Sequence, residues 1–413
     1  MQGAGKLAFT AAFLLSISRV PAADGLKIEV IHNMSAQSQQ PAVQVLVDAL
    51  KERGVRWVDN AFATGPAARA AMVHRAATGE PAAVMFVHSK LLFRELTERG
   101  LTASVGPPGW RDWKDKVAPE IWEEMTGADG RVIFTPIILG IHNVAFLNKA
   151  ILKRAGAETP QTWDEFFVVL QRIRGLGGVV PLAFTDAPVQ LFQTFHNLVA
   201  GLGGRPLYQS IFVEHDPRAF DRPEFRRVAE ALRRLKPFTD PGRTSRVWQD
   251  AAMMVASGRA GALVYGTFAL QPFITAGKLP GEDVECANLG GVAILGPNGF
   301  MYGRPESEAQ REAQNRFAAT VMDPEVQALF VEAYGGFPTR RDADRSTLNG
   351  CMESAGEGLA DPARTVKDPS LTMDPRRIGA VQDAVVEFWA NEDESIEAFA
   401  GKLKAAVAAR DGR

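Results

Sequence analysis

Six histidines, at positions 32, 74, 88, 142, 196 and 215, are the side chains of this 413-residue sequence best suited to moving protons or holding metals. No two of them stand four apart, the spacing that would put both on one helix face around a zinc ion. The sequence has no His-Glu-x-x-His run, no Gly-x-Ser-x-Gly nucleophile elbow and no Walker loop. No Gly-x-Gly-x-x-Gly turn follows a strand, so no cofactor is implied. His88 with Asp186 is the one candidate pair for a hydrolase. Cys286 and Cys351 either form a disulfide across a 65-residue separation or are two separate buried thiols. A loop of that length would be worth ~4 kcal/mol in the chain-entropy account of disulfides.

These residues sit in a chain too long for one compact core, so two lobes are expected. Apolar residues are 46% and charged residues 23%, an ordinary globular balance, and the formal net charge is −2. That balance gives no basic surplus for nucleic acid and no acidic tail for a charged partner. Lys6 followed by the apolar run Leu7 to Ile17 and the small residues of Val20-Pro21-Ala22 reads as a signal peptide, residues 1–22, cut after Ala22. The alternative is a buried N-terminal helix. No other apolar run approaches ~18 residues, so the mature chain is expected to be soluble; the cleaved leader implies the periplasm, and a monomer is expected there.

The patterning then supplies the frame. Residues 27–32 alternate polar and apolar as an opening strand, and Val43, Val45, Leu46 and Leu50 mark one helix face ending near Arg53-Gly54. A strand at 55–58, a helix over 67–77, a buried strand at 82–87 and a helix over 91–99 come next. Strand and helix alternating at this spacing predict a parallel sheet covered by helices, an α/β fold. Thr162-Trp163-Asp164-Glu165 is a capping box that opens a helix to Leu176. Further helices are predicted over 190–202, 223–236, 248–256, most of 306–333, 377–391 and 394–409. Strands are predicted at 132–134, 181–184 and 260–266, and over 284–295 around a glycine break.

In order and spacing, several segments together resemble the extracellular solute-binding proteins of carbohydrate ABC transporters, nearest the glucose/mannose-binding branch. They are Glu29-Val30-Ile31-His32, Arg56-Trp57-Val58-Asp59, Phe146-Leu147-Asn148-Lys149 and Pro160-Gln161-Thr162-Trp163-Asp164-Glu165-Phe166, then Gly258-Arg259-Ala260-Gly261 and Gly336-Phe337-Pro338-Thr339-Arg340. The resemblance implies a two-lobed periplasmic-binding-protein fold with hinge segments and an interlobe ligand cleft. It places lobe 1 at 23–135 plus 291–335 and lobe 2 at 136–290 plus 336–413. Crossings fall near 134–138, 287–292 and 335–341. It also implies the Cys286–Cys351 disulfide, a small-molecule ligand and an inner-membrane ABC permease as partner.

The expected sugar pocket is altered. Where the branch carries His-Trp-Trp-Thr and then a glutamate, this chain has His32-Asn33-Met34-Ser35 and then Gln39. The Gln-x-Lys segment falls at Val87-His88-Ser89, a family histidine falls at Gly140, and a family tryptophan falls near Val189. Trp248 is kept, Phe268 replaces a tryptophan, and Gly-Asp-Trp has become Gly266-Thr267-Phe268. The resemblance therefore assigns Asn33, Met34, Ser35, Gln39, His88, Ser89, His142, Trp248, Thr267, Phe268, Tyr302, Arg304 and Arg340 to the ligand. Met34 and Phe268 would suit a flatter ligand than glucose, and Arg304 or Arg340 an anionic group.

Overall fold

In the computed structural model, residues 25–88, 94–356, 359 and 361–408 are described. The leader and Ser89 lie outside them. Eleven strands run in chain order among these residues. They are β1 (Leu26–His32), β2 (Val55–Ala61), β3 (Val84–Val87), β4 (Thr102–Ala103), β5 (Phe134–Ile141) and β6 (Val144–Asn148), then β7 (Val180–Leu182), β8 (Ala260–Tyr265), β9 (Val284–Asn288), β10 (Ala293–Gly303) and β11 (Thr365–Lys367). β1 to β5, β10 and β11 make one sheet of seven strands, and β6 to β9 a second of four.

The first strands pair as the sequence predicts. β1 lies parallel to both β2 and β3. Beyond them the expectation of parallel strands needs correction. β10 runs antiparallel to β3 and β5, and β6 runs antiparallel to β8 and β9. β5 passes through His142-Asn143 into β6 of the other sheet, and the strands that pair antiparallel to each arrive from far along the chain rather than through a helical crossover.

The predicted helices form with shifted ends. The first spans Gln40–Glu52, and its apolar face, including Val43, Leu46 and Leu50, is buried. The helix expected over 190–202 runs Pro188–Phe212, broken at Gly204, whose φ of 69° is left-handed. Thr162 caps the helix Trp163–Gly175 through its hydroxyl, which accepts from the Glu165 amide at 3.2 Å. The other half of the box is displaced by one residue, because Glu165 accepts from the amide of Gln161 at 2.7 Å.

Each sheet has its own apolar core. Around the first pack Ile28, Val30, Leu46, Phe300, Phe317 and Phe330, and around the second Leu147, Phe166, Phe195, Leu232 and Phe388. Cys286 and Cys351 are disulfide-bonded and tie β9 to the helix Gly350–Ala355.

Three chain segments are sewn together between the cores. Leu139 of β5 exchanges two backbone hydrogen bonds with Phe337, at 2.8 and 3.0 Å. Asn143 donates to the Val292 carbonyl at 2.7 Å and accepts from the Ile294 amide at 2.9 Å. Gln327 is a buried hub: its amide nitrogen donates to the Pro136 carbonyl, and its oxygen accepts from the Thr339 hydroxyl and the Arg340 amide. Every polar atom of such a buried segment needs a partner, and here the segments supply one another's.

Candidate functional site

The aromatic half of the site comes from the end of β8 and from the helix and turn on either side of that strand. Trp248 opens the helix Trp248–Ala256, Tyr265 ends β8, and Phe268 sits in the turn Thr267–Ala269. Trp248 stacks on Tyr265, with centroids 5.7 Å apart and planes at 21°. Phe268 presents an edge to both rings, at 5.2 and 5.1 Å. Gln190 donates to the Tyr265 hydroxyl at 2.5 Å, which fixes the stack from behind. Tyr265 is buried in the core and Trp248 and Phe268 are half-buried against it, so each ring's orientation is constrained by a neighbour.

The polar half gathers where β3, β5 and β10 end or bend. A bulge in β10 between Asn298 and Gly299 turns Asn298 toward the residue after β3. There His88 Nδ1 and Asn298 Oδ1 are 3.0 Å apart. His88 Nε2 and Asn33 Nδ2 both lie near Gly65, within 4 Å of where a Cβ there would stand. His142 follows β5, and its Nδ1 lies 2.8 Å from Asp368 Oδ2. Its carbonyl accepts from Gln193 at 2.7 Å and Asn197 at 3.3 Å. The His142 ring meets the edge of Phe268 at 6.3 Å, which joins the two halves.

Electrostatics are set by burial. Burial pushes His88 down, and so does the neighbouring His142, while Asn298 and Asp368 oppose them. Burial lowers His196 to about 4, with Asp368 opposing. Burial alone would raise Asp368, but His142 and His196 overcome it and hold the carboxyl well below its usual range. Among the described residues no group of three or more His, Cys, Asp or Glu side chains is placed to hold a metal.

Of the sequence-assigned residues, Asn33, His88, His142, Trp248 and Phe268 converge on this corner, and Thr267 is buried beside Phe268. Others are placed elsewhere. Met34 is fully buried in the first core, so its surface is spent on packing and leaves none for a ligand. Ser35 is exposed. Gln39 is buried and accepts from the Ala36 amide at 3.4 Å. Tyr302 is also fully buried, its hydroxyl bonded to that of Thr135. Arg304 faces solvent past the end of β10. Arg340 grips both oxygens of Asp342 at 2.8 Å and donates to the Met322 carbonyl at 2.9 Å. Its guanidinium is thus committed within the protein. The residues of the hydrolase pair each have another partner, His88 bonding Asn298 at 3.0 Å and Asp186 lying 3.4 Å from Arg243.

Asn298, Asp368, Gln193 and Asn197 were not foreseen. Asp368-Pro369 reads as a turn, and Asp368 does accept from the Ser370 amide at 2.9 Å. Nothing local signals its second bond, to His142 in a segment 226 residues away. A concavity of about 330 Å³ beside Leu329, Glu332 and Asp344 shares no residue with this corner.

Two α/β units joined by sewn segments are the architecture of a two-lobed binding protein. The chain belongs to the bacterial extracellular solute-binding protein family, which it matches over residues 51–349. It is 28% identical to a probable sugar-binding periplasmic protein of Brucella melitensis over 354 residues, 84% of this chain and 83% of that one. A protein of the same description from Rhizobium meliloti is 27% identical over 358 residues, 85% and 84% of the two chains. Among solved structures, a chitin oligosaccharide binding protein superposes with a TM-score of 0.76 at 17% identity, covering 92% of this chain and 98% of that one. A bacterial solute receptor with an exclusive preference for β-D-galactopyranose gives 0.74 at 18% identity, covering 92% and 97%. No helix among the described residues is long and apolar enough to cross a membrane.

Proposed function

We propose that this chain is the periplasmic binding component of an ABC transporter, which captures an uncharged carbohydrate or carbohydrate derivative between its lobes and delivers it to an inner-membrane permease. The observation that carries the reading is the half-buried Trp248 and Phe268 beside the His142–Asp368 and His88–Asn298 pairs in a chain of the solute-binding family. The rings offer an apolar face to a sugar ring, and amides and imidazoles suit hydroxyls better than charges. The names of the relatives support a sugar.

Lobe 1 is 23–135 with 291–335, and lobe 2 is 136–290 with 336–413. The segments near 134–138, 287–292 and 335–341 act as hinge, and the ligand's better fit to the closed form drives closure. The chain is exported by its 1–22 leader and works as a monomer without turnover. Plain glucose is not the ligand, because Asn33 and Met34 stand where the glucose-binding branch carries two stacking tryptophans.

Thermal melting of the mature protein against sugars, sugar acids, polyols and amino acids tests this. A ligand at ~100 times its dissociation constant adds roughly 2.7 kcal/mol, a shift of a few degrees for a chain of this size. One class of neutral sugars is expected to give that shift and to be recovered unchanged. Stabilisation by glucose alone would show that the pocket has kept its ordinary specificity. Stabilisation by sugar acids or amino acids alone would refute the proposed ligand class.

A further inference from the structure

His142 holds an unusual position in the corner. Its ring lies across β5 and β10 in a space cleared by two glycines. A Cβ on Gly296 would stand 2.8 Å from its Cε1 and Nε2, and one on Gly140 would stand 3.4 Å from Nε2. Its carbonyl is held by Gln193 and Asn197, so the backbone cannot easily turn the ring away. Nδ1 is used by Asp368, and Nε2 is buried without a partner. Leaving a buried polar atom unpaired costs ~1–3 kcal/mol, which the fold would avoid unless the atom had a use.

We propose that His142 is the specificity-determining residue of the cleft: its Nε2 accepts a hydrogen bond from a ligand hydroxyl, and Asp368 fixes the tautomer that makes Nε2 an acceptor. The inference rests on the reading of the chain as a sugar receptor. An ionised Asp368 is acceptor-only, so Nδ1 must carry the proton in their shared bond. A neutral imidazole then has its lone pair at Nε2. His142 thus requires a donor from the ligand at that point, which a hydroxyl supplies and an ether oxygen does not. A sugar methylated at the contacted hydroxyl is excluded by the same logic, because it leaves Nε2 unpaired. Asp368 acts through His142 as a positioning residue. In Asp368→Asn the side-chain amide can instead donate to Nδ1, which shifts the ring toward the opposite tautomer.

The test uses the mature protein with D-galactose, N,N′-diacetylchitobiose, maltose and raffinose as probes. Dissociation constants are measured for wild type, His142→Phe and His142→Gln, with ¹⁵N-imidazole spectra of wild type and Asp368→Asn. A probe that binds wild type is expected to bind His142→Phe at least tenfold more weakly. His142→Gln, whose amide oxygen can still accept, should recover part of the loss. The wild-type His142 should show protonated Nδ1 and bare Nε2, with Nε2 shifting on sugar addition, and Asp368→Asn should show the opposite tautomer. Equal affinity in wild type and His142→Phe overturns the inference while leaving the receptor reading intact. If no probe binds wild type, the receptor reading fails for these sugars and the inference fails with it. If His142→Phe does not melt cooperatively, the wild-type Nε2 resonance decides, and one that does not move with a bound sugar rejects the assignment.

Discussion

His196 sits between the rings of Phe192 and Phe212, 3% exposed, with its Nδ1 buried and unpaired. In the unfolded chain this imidazole takes a proton near pH 6.5, whereas burial in the folded protein lowers it to about 4. The unfolded state therefore binds the proton first, and stability is lost as pH falls from 6.5 toward 4. Asp368 adds to the loss further down, since its folded carboxyl lies below the ordinary range and its protonation breaks the bond to His142. The His196 contribution is on the order of 2–3 kcal/mol across that window. Denaturant unfolding at pH 7.5 and pH 5 should show this drop in wild type. His196→Phe, which fits the surrounding phenyl rings, should reduce it; an undiminished drop would assign the acid sensitivity elsewhere. At this scale the sequence was partly readable. Trp248 and His142 were singled out from the sequence, but nothing in it marked Asp368, whose local bond only caps a turn.

Among the elements, β5 and β10 carry the greatest constraint. Gly299 lies at the β10 bulge, and a Cβ there would stand 2.2 Å from the Thr135 carbonyl and 2.5 Å from the Pro136 Cα. Gly299→Ala must push the two strands apart, and a melting point lower by several degrees is expected; an unchanged one would show that the pair is not tightly held. This close approach also explains why the sequence ended the strand early. The predicted strand stops at 295, before Gly296, Pro297 and Gly299, which are poor strand formers, yet β10 continues through them to Gly303. The glycines are clearances, for the His142 ring and for the β5 backbone, and a clearance is invisible until its occupant is known. The opening β1, β2 and β3 were legible because their apolar residues must match a buried sheet however the rest of the chain is arranged. The disulfide between β9 and the helix Gly350–Ala355 should contribute about 4 kcal/mol through its 65-residue loop. Unfolding with and without reductant measures it, and a difference near zero would mean that the reduced unfolded chain is already constrained.

At the scale of the whole molecule, two lobes were legible from length and alternation, whereas the antiparallel pairings of β10 with β3 and β5, and of β6 with β8 and β9, were not. They join strands far apart in sequence, which periodicity cannot pair. The cleft's chemistry was readable only as a departure from a family pattern. The central claim is that the molecule binds one neutral sugar at the Trp248 corner and does not transform it. Isothermal titration of the mature protein with the sugar that most raises its melting point, repeated for Trp248→Ala and followed by recovery of the sugar, tests it most directly. The account predicts one site per chain, an affinity at least tenfold weaker in Trp248→Ala, and unchanged sugar. Equal binding by Trp248→Ala, or a sugar recovered as product, would contradict it.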